Sequence, residues 1–534
     1  MTNKSNSLTK YLPIFLSIAL IVGILIGIFL TGKNNFTSKF KSYDKINDVI
    51  NFAMQDYVDT ISKERLEEKA ITGMLESLDP HSVYIPAEDF HNANDPLMGN
   101  FEGIGVQFRI QNDTIMVINT IVGGPSEKVG LKAGDRIVNV DGKKVAGIGI
   151  KDTEVIKKLK GKKGSKVKVE IFRRGVSHLL NFDIIRDVIP TYSIDIDYMV
   201  DKNIGYIKLS KFSATTSQEF SDALMRLKGK GMKGLILDLR GNGGGYLQSA
   251  IDVADHFLGT HKIIVYTEGK NRRKQIASAT SEGLFEKEEL VVLIDEFSAS
   301  ASEIIAGAIQ DNDRGLIIGR RSFGKGLVQE QFSLSDGSAV RLTVARYHTP
   351  TGRCIQKSYQ NGYENYMNDL NDRFLNGEFE KPDTSKFADS LKYRTPKGKI
   401  VYGGGGIMPD IYIPMVADKK LEYYNQLINK GLIYQFAFDY TDKNRKNLSI
   451  FKNADDYTLR FLVNNNIIND FINYATVNGV NKQSIGFNES IEKIKILLKA
   501  YIARNLFDDI GFYPIYLKTD NAFLKAVEEI NKRK

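Results

Sequence analysis

The stretch Ser298-Ala299-Ser300-Ala301-Ser302-Glu303, followed downstream by Phe323-Gly324-Lys325-Gly326, constrains this chain more than any other part of it. Between the two lie a small-residue helix pattern from Glu303 to about Gln310, a break at Asn312-Asp313 and an apolar strand, Gly315-Leu316-Ile317-Ile318-Gly319. A helix of about twelve residues carries the chain roughly 18 Å away. A strand of about five residues brings it back by a similar distance. Lys325 therefore returns to the neighbourhood of Ser300, and a serine with a lysine base is a recognised variant of hydrolase chemistry.

The same residues admit plainer readings. Ser300-x-x-Glu303 is also a capping box, in which the hydroxyl satisfies an orphan backbone N–H. Gly319-x-x-x-x-Gly324-Lys325 nearly completes a phosphate-binding loop, but Gly326 stands where Ser or Thr must ligate magnesium. A helix should follow that lysine, whereas Val328 to Leu334 reads as a strand.

With 534 residues, 42% hydrophobic and 26% charged, the chain can bury several domain cores. Its net charge of +9 would suit an anionic partner, but the lysines are dispersed and the densest cluster, Lys157 to Lys168, surrounds a turn. It reads as a solvated surface rather than a nucleic-acid site. The single cysteine, Cys354, excludes an internal disulfide and any multi-cysteine metal site. Tyr11 to Leu30 is an uncharged apolar run of the length that spans a bilayer. It lacks the small-x-small site of a cleaved signal peptide, so an uncleaved signal anchor is expected. Lys4 and Lys10 precede it, while Lys33, Lys39 and Lys41 follow, so charge alone does not set its orientation.

Three further blocks join the serine and lysine segments: Leu78-Asp79-Pro80-His81-Ser82, Leu235 to Gly245 with its Arg240-Gly241-Asn242-Gly243-Gly244-Gly245 loop, and Asp336 to Gln356. In this order they resemble the C-terminal processing peptidases (tail-specific proteases), serine peptidases with a Ser/Lys dyad. The resemblance covers roughly residues 45–415. Phe101 to Val106, Gly124 to Leu131 and Gly134 to Ile137 resemble a bacterial PDZ domain. Such a loop lets backbone N–H groups converge on a terminal carboxylate beside an edge strand that accepts a peptide. Gly103, Ile104, Gly105 and Val106 are the peptide-binding candidates, with Val155, Ile156 and Leu159 lining the pocket.

The expected fold is a multidomain α+β chain. Residues 1–32 form a short cytoplasmic N-terminus and transmembrane signal anchor, and 33–97 a tether and helical segment. Residues 98–190 form the barrel-like PDZ domain, and 191–415 an α/β peptidase core with an insertion at about 357–399. A helical extension occupies 416–534, with amphipathic stretches at Leu459–Ile468 and Ile491–Tyr501. It resembles the extensions of Bacteroidetes members of the family. The resemblance implies a catalytic part outside the cytoplasm, on the inner membrane. It also implies a homodimer contact through the N-terminal helical segment, to which His81 belongs in a structural role.

The resemblance further implies that Ser300 is the nucleophile, Lys325 its base and Gln329 the group that orients the lysine. A neutral amide suits that task, since a carboxylate would hold the lysine protonated. Oxyanion donors would be the N–H of Ala301 and one from Gly244 or a neighbouring glycine. Asp311, about 16 Å along the helix from Ser300, is expected to anchor structure. A triad through His348 is the competing arrangement. No cofactor or metal is expected, and the partners are protein substrates with accessible C-termini. A catalytically silent PDZ scaffold and an amidase or esterase using the same dyad are the alternatives.

Overall fold

Helix-period spacing of Ile46, Val49 and Ile50 becomes a helix once an acceptor closes its first turn, and Asp44 supplies it by accepting the Asn47 N–H at 3.2 Å. The structure, a computed structural model, describes residues 8–33, 44–382, 389–415, 421–482 and 486–533. They divide into an N-terminal unit ending at Gly73 and a main unit beginning at Met74. The first carries α1 (Leu8–Lys33), α2 (Lys45–Asp56) and most of α3 (Lys63–Glu76). The side chains of α1 are described from Tyr11 to Gly27 and are exposed. That run is about 25 Å long, and among the described residues no helix is long and apolar enough to cross a membrane. The end of the expected anchor and the expected tether from residue 34 lie outside those described side chains.

In the main unit β1 (Val83–Ile85), α4 (Phe90–Met98) and β2 (Asn100–Gly103) lead into a small sheet. It is built from β3 (Val106–Gln111), β4 (Thr114–Thr120), a short α5 (Pro125–Lys128), β5 (Arg136–Val140) and β6 (Lys143–Lys144). There follow α6 (Asp152–Leu159), β7 (Lys166–Phe172), β8 (Leu180–Ile185) and β9 (Asp187–Pro190). The strand order is β3-β4-β5-β7-β8, which leaves β3 at the edge, while β9 pairs with β2. Strict alternation in β7 buries Val167, Val169 and Ile171, and α6 adds Val155 and Leu159 to the same core.

The second, larger α/β region begins with β10 (Ile194–Met199), β11 (Ile204–Leu209), α7 (Thr216–Gly229), β12 (Gly234–Asp238) and α8 (Leu247–Asp255). It continues through β13 (Ile263–Gly269), β14 (Arg272–Ser278), β15 (Glu289–Ile294), α9 (Ala301–Asp311) and β16 (Leu316–Gly319). Next come β17 (Leu327–Ser333), β18 (Ala339–His348), α10 (Tyr363–Leu375), β19 (Lys392–Arg394), β20 (Ile400–Tyr402) and β21 (Ile411–Tyr412). One sheet runs β10-β11-β12-β15-β16-β21, parallel from β11 onward, and a second joins β1, β18, β13 and β14 with β17 on β18. All five residues of β12 are buried, as a parallel strand covered on both faces requires. Phe220, Val253 and Ile305 from α7, α8 and α9 cover one face; Phe523, Ala526 and Ile530 cover the other.

Those last three residues belong to the C-terminal extension, which is helical as expected: α11 (Glu422–Asn429), α12 (Leu432–Leu448), α13 (Ala454–Arg460), α14 (Asn465–Val477), α15 (Phe487–Tyr516) and α16 (Asn521–Lys532). One stretch is corrected. Leu459–Ile468 is not a continuous helix, because Asn464 turns its side chain to accept the N–H groups of Asn466 and Ile467 and starts α14 afresh. The described part of the polar insertion from Lys357 on has structure of its own. α10 lies in it, and Arg373 with Glu378 forms a buried cluster with Arg321 of the core.

Candidate active site

The turn after β15 delivers Ser300 to the start of α9 with φ 55° and ψ −113°. Positive φ on a serine is strained, and a hydroxyl serving only as a cap does not need it. Glu303 closes the capping box from the other side: its Oε2 accepts the Ser300 N–H at 2.8 Å. The same carboxylate accepts the N–H groups of Gly324 at 2.7 Å and Lys325 at 2.9 Å, and the Ser322 hydroxyl. Glu303 thus ties the serine turn to the lysine turn. Burial pushes its carboxyl up to about 7, against the pull of those four donors.

Lys325 is half-buried, and its Nζ donates to Gln329 Oε1 at 3.0 Å. Desolvation lowers its pKa, the Arg341 charge lowers it further, and Asp79 and Glu303 oppose them. Gln329 in turn donates through Nε2 to the His81 carbonyl, which fixes which end of the amide faces the lysine. Ser300, Lys325 and Gln329 line one cleft of about 280 Å³ with Leu247, Ile304 and Tyr347. Tyr347 is buried, and its hydroxyl donates to the backbone carbonyls of Ser300 at 3.1 Å and Lys325 at 2.7 Å.

The glycine loop presses on the serine from the β12 side. Gly244 has φ +101°, and a Cβ there would lie 2.8 Å from Ser300 Cβ and 3.0 Å from Ala301 N. Its N–H, however, donates to Asn242 Oδ1 at 2.9 Å. Gly244 is therefore a close-approach residue with its donor already engaged, while Gly243 and Gly245 are the loop glycines that line the cleft. Ala301 opens α9, so its N–H is among the first-turn donors that have no intrahelical acceptor.

His81, expected from sequence to have a structural role in the N-terminal segment, reaches the site through its backbone carbonyl, which accepts from Gln329. Asp79 accepts the N–H groups of His81 at 2.8 Å and Ser82 at 2.9 Å, and the Thr343 hydroxyl at 3.0 Å, docking the turn on β18. Desolvation and the Lys325 charge lower the His81 imidazole to about 4. His348 does not join Ser300. Its ring stacks on Tyr266 at 4.7 Å, and Nδ1 meets the Gly352 carbonyl at 3.2 Å. Asp311 spends its acceptors on the fully buried Arg353 at 2.7 Å and the Thr351 hydroxyl at 2.6 Å. Burial pushes the Cys354 thiol up, away from thiolate reactivity.

Sequence reasoning missed Tyr347, the His81 carbonyl and the reach of Glu303. Alternation along β18, with Ala345 and Tyr347 buried and Arg346 exposed, is the signal for the first. The Asp-x-x-Ser pattern of an Asx turn is the signal for the second. In the small sheet, Gly103 ends β2, Ile104 is buried, Gly105 has φ +73° and Val106 opens the edge strand β3. Ser126 donates through its N–H and hydroxyl to the Ile104 carbonyl at 3.0 and 2.6 Å, holding the loop in place.

A strained serine and a half-buried lysine lining one cleft of an α/β core, beside a module with an open edge strand, define a serine-type peptidase with a PDZ domain. Residues 203–363 match peptidase family S41, 103–184 the PDZ domain, 29–89 the N-terminal domain of the activating protease CtpB, and 423–508 a family of unknown function. The chain is 38% identical to the carboxy-terminal processing protease CtpA of Bacillus subtilis (strain 168) over 62% of its own length and 71% of that relative. It is 38% identical to the carboxy-terminal-processing protease of Bartonella bacilliformis over 60% of its length and 74% of that relative. Among solved structures it is 26% identical to a photosystem II D1 C-terminal processing protease, covering 70% of this chain and 87% of that one with a TM-score of 0.37. The chain belongs to peptidase family S41.

Proposed function

We propose that this chain is a carboxy-terminal processing endopeptidase in which Ser300 attacks a peptide carbonyl and Lys325 is its general base. The observation that carries the reading is the Lys325–Gln329 contact at 3.0 Å inside the cleft that Ser300 lines. A half-buried lysine bonded to a neutral amide, with its pKa lowered by desolvation, has the free lone pair that a base requires. Nζ takes the Ser300 Oγ proton as the Oγ–carbonyl bond forms, then returns it to the leaving amine as the C–N bond breaks. Water then attacks the acyl carbonyl as Lys325 takes its proton, and that proton passes to Ser300 Oγ as the ester C–O bond breaks, releasing the new C-terminal carboxyl group. The Ala301 N–H at the positive end of α9 and an N–H of Gly243 or Gly245 are suited to the oxyanion.

The PDZ module supplies recognition. A substrate C-terminus adds to the edge of β3 while its carboxylate meets the Gly103-Ile104-Gly105-Val106 loop. The apolar helix α1 is read as an anchor that places the catalytic part outside the cytoplasm at the inner membrane. The exposed Val49 and Phe52 of α2 are read as a self-association surface.

Ser300→Ala, Lys325→Ala and Lys325→Arg should each abolish cleavage of a protein substrate without loss of fold, since arginine cannot serve as a neutral base. Cleavage by Lys325→Ala at the wild-type rate would refute the dyad. Turnover of a small ester but of no protein would point to the amidase or esterase reading, and wild-type inactivity on both to the silent scaffold. Amidation of the substrate C-terminus should slow cutting, and equal rates would rule out carboxylate reading. Protease accessibility of the catalytic region in cells with a permeabilised outer membrane tests the placement, and sedimentation with and without residues 1–73 tests self-association.

A further inference from the structure

The lysine cleft holds a second cation that the dyad does not employ. Arg341 pairs with Gln331 across β17 and β18, and Thr343 pairs with Gln329 two residues along. Side chains two residues apart on a strand share a face, so Arg341 stands beside Gln329 on the face that receives Lys325 Nζ. Arg341, Gln329 and Lys325 all line the cleft. The guanidinium is held from two sides: NH2 donates to Gln331 Oε1 at 3.0 Å and to Asn94 Oδ1 of α4 at 3.3 Å. A cation fixed in the same cleft as an amine disfavours a second positive charge there.

We propose that Arg341 is a positioning residue of the dyad: fixed by Asn94 and Gln331, it keeps Lys325 in the unprotonated form that accepts the serine proton. The inference rests on the reading of Lys325 as base. Burial is the larger influence on Lys325, and Arg341 acts with it against two groups of opposite sign. Glu303 of α9 and Asp79 of the turn before β1 both favour protonated Lys325. His81, at about 4, is neutral at physiological pH and offsets neither. Lys357, whose ammonium stacks on the Phe323 ring at 4.0 Å, is paired with Asp369 at 2.9 Å. Arg341 is the charge on the strands flanking Lys325 that opposes the two carboxylates.

The test is kcat/KM against pH on a protein substrate for full-length wild type, Arg341→Gln, Arg341→Lys, Asn94→Ala and Lys325→Ala. Arg341→Gln should lose about tenfold on the acid side of the profile and converge with wild type on the alkaline plateau. Arg341→Lys, which keeps the charge, should restore the acid limb. Asn94→Ala should lose less, in the same direction. A loss for Arg341→Gln that is uniform across pH, or a profile overlying wild type, overturns the inference while an inactive Lys325→Ala leaves the dyad standing. Activity in Lys325→Ala overturns the dyad and this inference with it.

Discussion

Glu303 Oε2 accepts the backbone N–H of Lys325 at 2.9 Å, through the oxygen that also accepts the Ser300 N–H. One buried carboxylate therefore sets the spacing of two turns that approach from different strands. A residue that the sequence marks as a helix cap is, in the fold, the joint between the Ser300 and Lys325 turns.

Glu303→Gln should lower kcat about 100-fold with a smaller change in KM, because the amide must turn an NH2 toward at least one of four donors. The pH dependence of stability carries its own signature. With the folded carboxyl at about 7 and the ordinary glutamate value at 4.5, the folded state holds a proton that the unfolded chain has released. Its contribution is complete below about 4.5 and is lost as pH rises through 7, on the order of 3 kcal/mol. Urea titrations across that window should show wild type losing stability relative to Glu303→Gln.

Lys325→Met should be inactive yet more stable than wild type near neutral pH, raising Tm by a few degrees on the order expected for relief of a strained site. Burial depresses the folded pKa of this lysine, so its contribution is present above 10.5 and lost as pH falls through the depressed value. The advantage of methionine should therefore vanish in strongly alkaline buffer. Thermal unfolding of both proteins at two pH values decides it.

Asp79→Ala should cost about tenfold in kcat although Asp79 touches neither Ser300 nor Lys325. It releases the turn whose His81 carbonyl holds Gln329, and the lysine then loses its fixed acceptor. Steady-state kinetics should show the loss mainly in kcat. A pure KM effect would mean that the turn serves substrate binding instead.

Phe523→Ala, far along the chain from the cleft, should destabilise the main unit by about 3–5 kcal/mol. Phe523 is 5% exposed and packs edge-on against Tyr206 at 5.6 Å, on the sheet face opposite α9. Chemical denaturation measures the loss. Arg240, which bonds both Asp238 and Asp520, ties the extension to the same sheet.

The local periodicities were legible because they are set by nearest neighbours. The apolar runs of β11 and β12 and the small-residue pattern of α9 are buried almost throughout, and the helix of α7 between the strands buries one face. Apolar spacing in the sequence predicts strands at Arg136–Val140 and Val167–Phe172 and, after an acidic start, a helix at Asp152–Leu159, and β5, β7 and α6 coincide with them to within a residue. Ser300 and Lys325 could be paired from sequence because one helix and one strand of similar length separate them. Leu459–Ile468 went astray for a local reason too: the apolar spacing runs on, but the Asn464 side chain competes for the backbone.

What only the tertiary structure decided are contacts between residues far apart in the chain. No spacing rule brings the His81 carbonyl to Gln329, Arg341 to Asn94, or Phe523 to Tyr206. The sequence by itself determined the elements, the order of the modules and the serine–lysine pair. The tertiary fold decided that Gly244 gives its N–H to Asn242, that Tyr347 rather than His348 faces the site, and that the last helix closes the sheet. The physical reason is that local structure follows from backbone and side-chain preferences over a few residues. A lysine's charge state and a donor's availability depend instead on which distant groups the completed fold packs around them.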